Sequence, residues 1–125
     1  DFATELTDLG DRLKEKVKTY SKGMTRKLLL ARTVMSKPRL AILDEPTSGL
    51  DVVNAFAVRK MIKNLAQEGM SVILSSHNML ETEYLSQRIG LIAHGTIVEM
   101  GSAPELKKKY KAQNLEEVFM EVTRD

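Results

Sequence analysis

One stretch of the sequence decides the fold: residues 40–45, which are Leu-Ala-Ile-Leu-Asp-Glu. Four consecutive apolar residues before two acids are typical of a short strand that is buried on both faces. In parallel α/β sheets the ligand crevice lies at the carboxyl ends of the strands, where these acids fall. Because a carboxylate beside an apolar core needs a cation or water, the pattern indicates Mg²⁺ at Asp44 and a polarised water at Glu45. The alternative is an ordinary pair of turn acids.

The flanking sequence predicts helices that alternate with strands. His94-Gly95 is a hairpin signal, and Asp51 is a good cap for a long helix. Further helix starts are indicated by capping residues at Asn78, Ser102 and Asn114, each with a Glu three residues later. Apolar periodicity and these caps predict one helix or two short ones over residues 3–16, helices over 21–35, 52–67, 78–85, 102–111 and 114–122, and strands over 72–74, 88–93 and 96–100. This alternation indicates an α/β fold with a largely parallel sheet.

Length and composition limit the class of protein. The 125 residues correspond to one small domain or part of one. The absence of Cys excludes disulfides, thiolate catalysis and Cys-based metal sites. A net charge of +2 is too small to indicate nucleic-acid binding, and the basic run of residues 107–111 favours a solvated helix face. No apolar run approaches the roughly 18 residues that span a membrane.

Three further groups of polar residues add to this pattern, and two of them can contact an anion. Residues 20–24, Tyr-Ser-Lys-Gly-Met, open a helix whose free amides, hydroxyl and Gly can bind an anion, although an ordinary helix cap is the alternative. Residues 48–51, Ser-Gly-Leu-Asp, follow the acids in a loop. His77 directly follows the second strand and can contact a phosphate oxygen there, whereas a lone His is otherwise a structural or surface residue.

Taken together, these motifs resemble the ATPase domain of ABC transporters. Residues 20–24 look like the signature motif, and residues 40–45 look like the Walker B strand with its following Glu. Residues 48–51 look like the D-loop and Ser76-His77 like the H-loop. Residues 114–119 are similar to the closing helix of prokaryotic exporter subunits. The resemblance covers essentially the whole chain and implies part of a P-loop NTPase sheet with flanking helices.

The resemblance implies a catalytic role for three residues. Asp44 would organise Mg²⁺ through water, and Glu45 would orient and deprotonate the attacking water. His77 would contact the γ-phosphate of ATP and link it to that catalytic geometry. ATP and Mg²⁺ are therefore the expected cofactors.

The resemblance also implies residues that act across a dimer of two ATPase subunits. Asp51 would lie at the dimer interface, while Ser21 and Gly23 would bind the γ-phosphate of the nucleotide held by the opposite subunit. A helix N-terminus used in this way completes a charge-stabilising cage only when the subunits close. The usual signature is Leu-Ser-Gly-Gly-Gln, and here Lys22 replaces one Gly with a cation.

The chain contains no Gly-x-x-x-x-Gly-Lys-[Ser/Thr] phosphate cradle. In the family that cradle strand, the Walker A strand, lies between the strand before His77 and the strand over residues 88–93. We therefore expect the carboxyl-terminal half of an ATPase domain, with the Walker A strand absent and an incomplete sheet or a dimer that fills the gap. Its expected parts are a helical signature subdomain (1–36), half of a RecA-like core (37–100) and carboxyl-terminal helices (101–125).

The implied function is the ATP-hydrolysing subunit of an ABC transporter, of exporter type. The resemblance places it on the cytoplasmic face of the cell membrane, bound to a transmembrane permease subunit and to a second ATPase subunit, with no nucleic acid expected. The half domain alone is expected to be inactive. A non-transport ABC ATPase of translation-factor or DNA-repair type is the first alternative. An inactive binding or structural module is the second.

Overall fold

The computed structural model describes residues 22–124 of the chain. Within them lie α1 (Lys22–Val34), β1 (Leu40–Asp44), α2 (Val52–Gln67), β2 (Ser71–Ser75), α3 (Met79–Leu85), β3 (Ile89–Ala93), β4 (Thr96–Gly101), α4 (Ala103–Tyr110) and α5 (Leu115–Val122). The α/β prediction is confirmed. The helix predicted over residues 3–16 and the candidate residue Ser21 lie outside the described residues.

The chain divides into two compact units, Asp1–Ser75 and Ser76–Asp125, which we call the first and second units. The three-part division expected from the sequence stays a prediction. The described strands form two sheets of two strands each, β1 with β2 and β3 with β4. The incomplete sheet or gap-filling dimer expected from the sequence stays a prediction.

The first unit is built around a β1–α2–β2 crossover. The two strands run parallel, and their register pairs Leu40 with Ser71 at one end and Asp44 with Ser75 at the other. The long connecting helix begins at Asp51, whose side chain caps it as predicted. The apolar face of α2 is buried, and its members are Ala55, Val58, Met61, Ile62 and Leu65.

The prediction that β1 is buried on both faces is wrong. Its residues alternate, because Leu43 is only 8% exposed whereas Ile42 is 70% exposed. In β2, Ile73 is likewise exposed. The apolar face of α2 covers one face of the sheet formed by β1 and β2. On the other face, Ile42 and Ile73 are left uncovered by the described part of the first unit. A run of four apolar residues has no period that could reveal this asymmetry.

The second unit is a hairpin packed against helices. β3 and β4 pair antiparallel, with an irregularity between Leu91 and Ile92. The turn places His94 (φ 52°) and Gly95 (φ 79°) in the left-handed region, which matches the twist of a tight hairpin. Its core consists of Ile89, Leu91, Ala103, Leu106, Leu115 and Val118. The predicted hairpin and the predicted caps of α4 and α5 are confirmed.

Candidate functional site

Asp44 lies at the carboxyl end of β1, where the sequence predicts a magnesium site. Its Oδ1 accepts a hydrogen bond from the hydroxyl of Ser75, the last residue of β2. The parallel register sets these two residues opposite each other. The hydrogen bond restrains the Asp44 carboxylate, although Asp44 remains exposed to solvent. Two side chains that carry oxygen atoms therefore lie together at this edge of the sheet.

Glu45 directly follows the strand and has an unusual backbone conformation. Its φ of 47° lies in the left-handed region, which costs a residue with a Cβ about 1–2 kcal/mol. Its N–H donates to the Ser75 carbonyl at 2.9 Å, and its carbonyl accepts from the Ser48 N–H at 3.1 Å. Such strain persists only where surrounding contacts hold it, and it clusters at functional sites. Glu45 is therefore the strained first residue of a tight turn over residues 45–50, which we call the acidic turn.

The side chain of Arg26, in α1, donates hydrogen bonds to three carbonyl groups of the acidic turn. Its Nη1 donates to the carbonyl oxygens of Glu45 at 3.1 Å and Pro46 at 2.6 Å. Its Nη2 donates to the carbonyl oxygen of Ser48 at 3.0 Å. Sequence reasoning missed Arg26. The available signal was weak, namely that Lys22 and Arg26 are four residues apart and so share one face of a helix.

The predicted signature residues pack against the start of α2. Gly23 is buried, and a Cβ added to it would overlap the side chain of Asn54. The Nδ2 of Asn54 donates to Asp51 Oδ2 at 3.2 Å, and its backbone N–H donates to Asp51 Oδ1 at 2.7 Å. The ammonium of Lys22 lies 2.6 Å from where a Cβ would stand on Gly49, whose φ is 76°. The first unit thus brings Gly23 and Asp51 together through Asn54.

A cavity of about 180 Å³ lies beside the acidic turn. It is lined by Arg26, Leu29, Leu30, Thr33, Ile42, Leu43, Asp44, Pro46 and Val58. Typical ligand pockets measure roughly 300–1,000 Å³, so this space is too small for a nucleotide. Asp44 lines this small cavity and is also exposed to solvent.

His77 belongs to the second unit and lies two residues before the start of α3 at Met79. The neighbouring Ser76 hydroxyl donates to Glu81 Oε2 at 2.8 Å and accepts from the Asn78 N–H at 3.0 Å. The Asn78 side chain accepts from the Glu81 N–H at 3.1 Å, which caps α3 as predicted. The same Glu81 carboxylate thus ties the start of α3 to Ser76, the residue before His77. His77 itself is exposed.

The basic run over residues 107–111, at the end of α4, forms ion pairs with acids of the second unit. The Lys107 ammonium lies 2.5 Å from a carboxylate oxygen of Glu83, and this hydrogen bond lowers the pKa of Glu83. Glu99 accepts from Lys109 at 2.8 Å and from the Tyr110 hydroxyl. These hydrogen bonds, that of Lys109 first, lower the pKa of Glu99 to about 2. The pairs join β4 and α3 to α4, which is a structural role.

Residues 22–124 contain neither a membrane-spanning helix nor a cluster of metal-binding side chains. No helix in that range is long and apolar enough to cross a membrane. Nor does any group of three or more His, Cys, Asp or Glu side chains in it come together as metal ligands. Asp44 therefore stands as a single carboxylate beside a hydroxyl, an arrangement that suits a hydrated ion better than a fully protein-coordinated one.

Comparisons with known proteins agree with the motifs. A family model described as ABC transporter matches residues 2–48. The linearmycin resistance ATP-binding protein LnrL of Bacillus subtilis (strain 168) is 39% identical over 102 residues, which cover 82% of this chain and 33% of LnrL. The lantibiotic transport ATP-binding protein SrtF of Streptococcus pyogenes is 40% identical over 112 residues, which cover 89% of this chain and 46% of SrtF.

The chain thus spans less than half the length of these two relatives. A solved ATP-binding subunit of an ABC transporter superposes with a TM-score of 0.80 at 23% identity, over 98% of this chain and 52% of the other. At that identity the superposition establishes the fold alone, which is the α/β fold of the ABC ATPases. Sequence relatives, family model and fold agree, and the chain belongs to the ATP-binding family of ABC transporters.

Proposed function

We propose that this chain carries the water-activating half of an ABC transporter ATPase, whose complete subunit couples ATP hydrolysis to export. The observation that carries the proposal is the strand-end pair Asp44 and Glu45, with Glu45 in a strained turn. In this function the Glu45 carboxylate orients the attacking water and takes its proton. His77 contacts the γ-phosphate.

The oxygen atoms of Asp44 and Ser75 fit Mg²⁺, which keeps several waters and accepts one or two carboxylates. When bound, the ion neutralises negative charge on the phosphates. The chain's own contribution is the orientation of Asp44, which Ser75 restrains by its hydrogen bond.

The missing phosphate cradle limits what these 125 residues do alone. The cradle supplies the backbone amides, the Lys and the hydroxyl that hold the nucleotide phosphates and their metal. We therefore infer that the chain alone has negligible ATPase activity. In the complete ATPase, a second subunit would present its Ser21 and Gly23 to the nucleotide, with Asp51 at the interface.

The names of two relatives support a proposed cargo and partner. LnrL is named for linearmycin resistance and SrtF for lantibiotic transport. These names support the proposal of an exporter for drugs or other hydrophobic compounds. The protein would lie on the cytoplasmic face of the cell membrane and bind a transmembrane permease subunit.

The test joins the phosphate-loop half of a relative such as SrtF to the amino end of this chain. We expect the fusion to hydrolyse ATP in the presence of Mg²⁺, and we expect Glu45→Gln to bind ATP but to lose turnover by about 100-fold or more. The chain without the added half should show no turnover. Steady turnover by the chain alone that disappears in Glu45→Gln would contradict its inferred inactivity. An active Glu45→Gln fusion would contradict the role of Glu45.

A further inference from the structure

We propose that Arg26 is a positioning residue for catalysis, because it holds the acidic turn in the conformation that presents Glu45. The proposal rests on the proposed function, in which Glu45 acts on water. Arg26 contacts the carbonyl oxygens of the turn, and no reacting atom is assigned to it. Its guanidinium reaches Glu45 and Pro46 with one nitrogen and Ser48 with the other.

The turn needs an external support because its first residue is strained. Glu45 has a φ of 47°, a conformation that favours glycine. Within the turn, the Ser48 N–H binds the Glu45 carbonyl and the Leu50 N–H binds the Thr47 carbonyl. Arg26 adds charged donors to carbonyl groups on both sides of Thr47. Hydrogen bonds from a charged donor are roughly twice as strong as those between neutral groups.

The planar shape of the guanidinium matters as much as its charge. Two nitrogens of one rigid fork bind carbonyl oxygens that are up to three residues apart along the turn. A Lys ammonium is a compact point charge on a flexible stem, so it cannot reproduce this fork. Arg26→Lys therefore separates the geometric role from a purely electrostatic one.

Further contacts tie the same helix to the far end of the turn. The Lys22 ammonium lies against Gly49, and Gly23 packs on Asn54, which holds Asp51. Arg26 lies one helical turn after Lys22. The helix that carries the predicted signature is thus attached to the acidic turn near Glu45 as well as near Asp51.

The first experiment measures backbone hydrogen exchange in the chain itself. In Arg26→Met we expect the Ser48 and Leu50 amides to exchange about tenfold faster than in the parent, while amides in the middle of α2 stay unchanged. The matched control is Arg32→Met, which removes an exposed Arg from the same helix. Equal exchange at Ser48 and Leu50 in Arg26→Met and the parent would overturn the proposal.

The second experiment uses the fusion described above and separates kcat from KM. We expect Arg26→Met to lower kcat by about 10- to 100-fold while KM for ATP changes by less than about twofold. Arg26→Lys should recover only part of kcat, and Arg32→Met should behave as the parent. Activity is expressed per folded molecule, and the folded fraction is measured by circular dichroism. If Arg26 contributes only to stability, kcat per folded molecule stays unchanged in Arg26→Met, and that result would overturn the proposal. An inactive parent fusion would contradict the proposed function, and the exchange measurement would then decide only whether Arg26 holds the acidic turn.

Discussion

Gly23 and Asn54 pack so closely that no side chain fits between them. A Cβ on Gly23 would overlap the side chain of Asn54. Asn54 in turn binds both carboxylate oxygens of Asp51, one through its backbone N–H and one through its side-chain amide. The start of α1 and the cap of α2 are therefore one packed cluster, in which glycine is required for space rather than for backbone freedom.

The substitution Gly23→Ala tests this cluster. Helix propensity alone would favour Ala by about 1 kcal/mol, whereas overpacking costs about 1–3 kcal/mol, so the sign of the change is informative. We expect a lower free energy of unfolding, measured by urea denaturation. In an Asn54→Ala background the same substitution should be neutral or stabilising. Additive effects of the two substitutions would contradict the packing of Gly23 on Asn54.

The neighbours Ile42 and Leu43 test which face of β1 is buried. Leu43→Ala should lower the free energy of unfolding by about 2–4 kcal/mol, because Leu43 is only 8% exposed and its loss leaves a cavity. Ile42→Ala is the matched control and should change it by less than about 1 kcal/mol, since Ile42 is 70% exposed. Urea denaturation of both variants gives the comparison. Equally large decreases in the free energy of unfolding for the two variants would indicate that β1 is buried on both faces.

The pH dependence of stability tests the Glu99 cluster. Lys109 and Tyr110 lower the pKa of Glu99 from 4.5 to about 2. The charged form of the Glu99 carboxylate is therefore more stable in the folded protein than in the unfolded chain. This stabilisation is complete above pH 4.5 and is lost as the pH falls through about 2.

The measurement compares Glu99→Gln with the parent by urea denaturation between pH 2 and pH 7, the range about these two pKa values. Above about pH 5 the parent should be the more stable protein, and the difference should shrink as the pH falls below 4.5. Glu116→Gln, which changes an exposed acid in the first turn of α5, is the matched control. It loses only a weak interaction with the helix N-terminus, so its pH dependence should be much smaller than that of Glu99→Gln. A difference between Glu99→Gln and the parent that does not vary with pH would show that Glu99 contributes by packing rather than by charge.

The candidate site was predictable to different degrees. Asp44 and Glu45 could be placed at the end of a strand because an apolar run followed by acids is a local pattern. The edge shared by Asp44 and Ser75 also agrees with the parallel pairing of their strands. Arg26 could not be found in this way, because its partners begin 19 residues further along the chain. Its four-residue spacing from Lys22 is a weak local signal that does not identify the acidic turn as its partner.

The sequence by itself determined the local structure of this protein. Asp51, Asn78, Ser102 and Asn114 each cap the helix that follows, because a side chain and an amide three residues away need no other part of the chain. Tertiary structure alone decided that β1 has one exposed face, that Gly23 meets Asn54 and that Arg26 holds the acidic turn. These features depend on which elements pack together, and residues far apart in sequence meet only after the chain has folded.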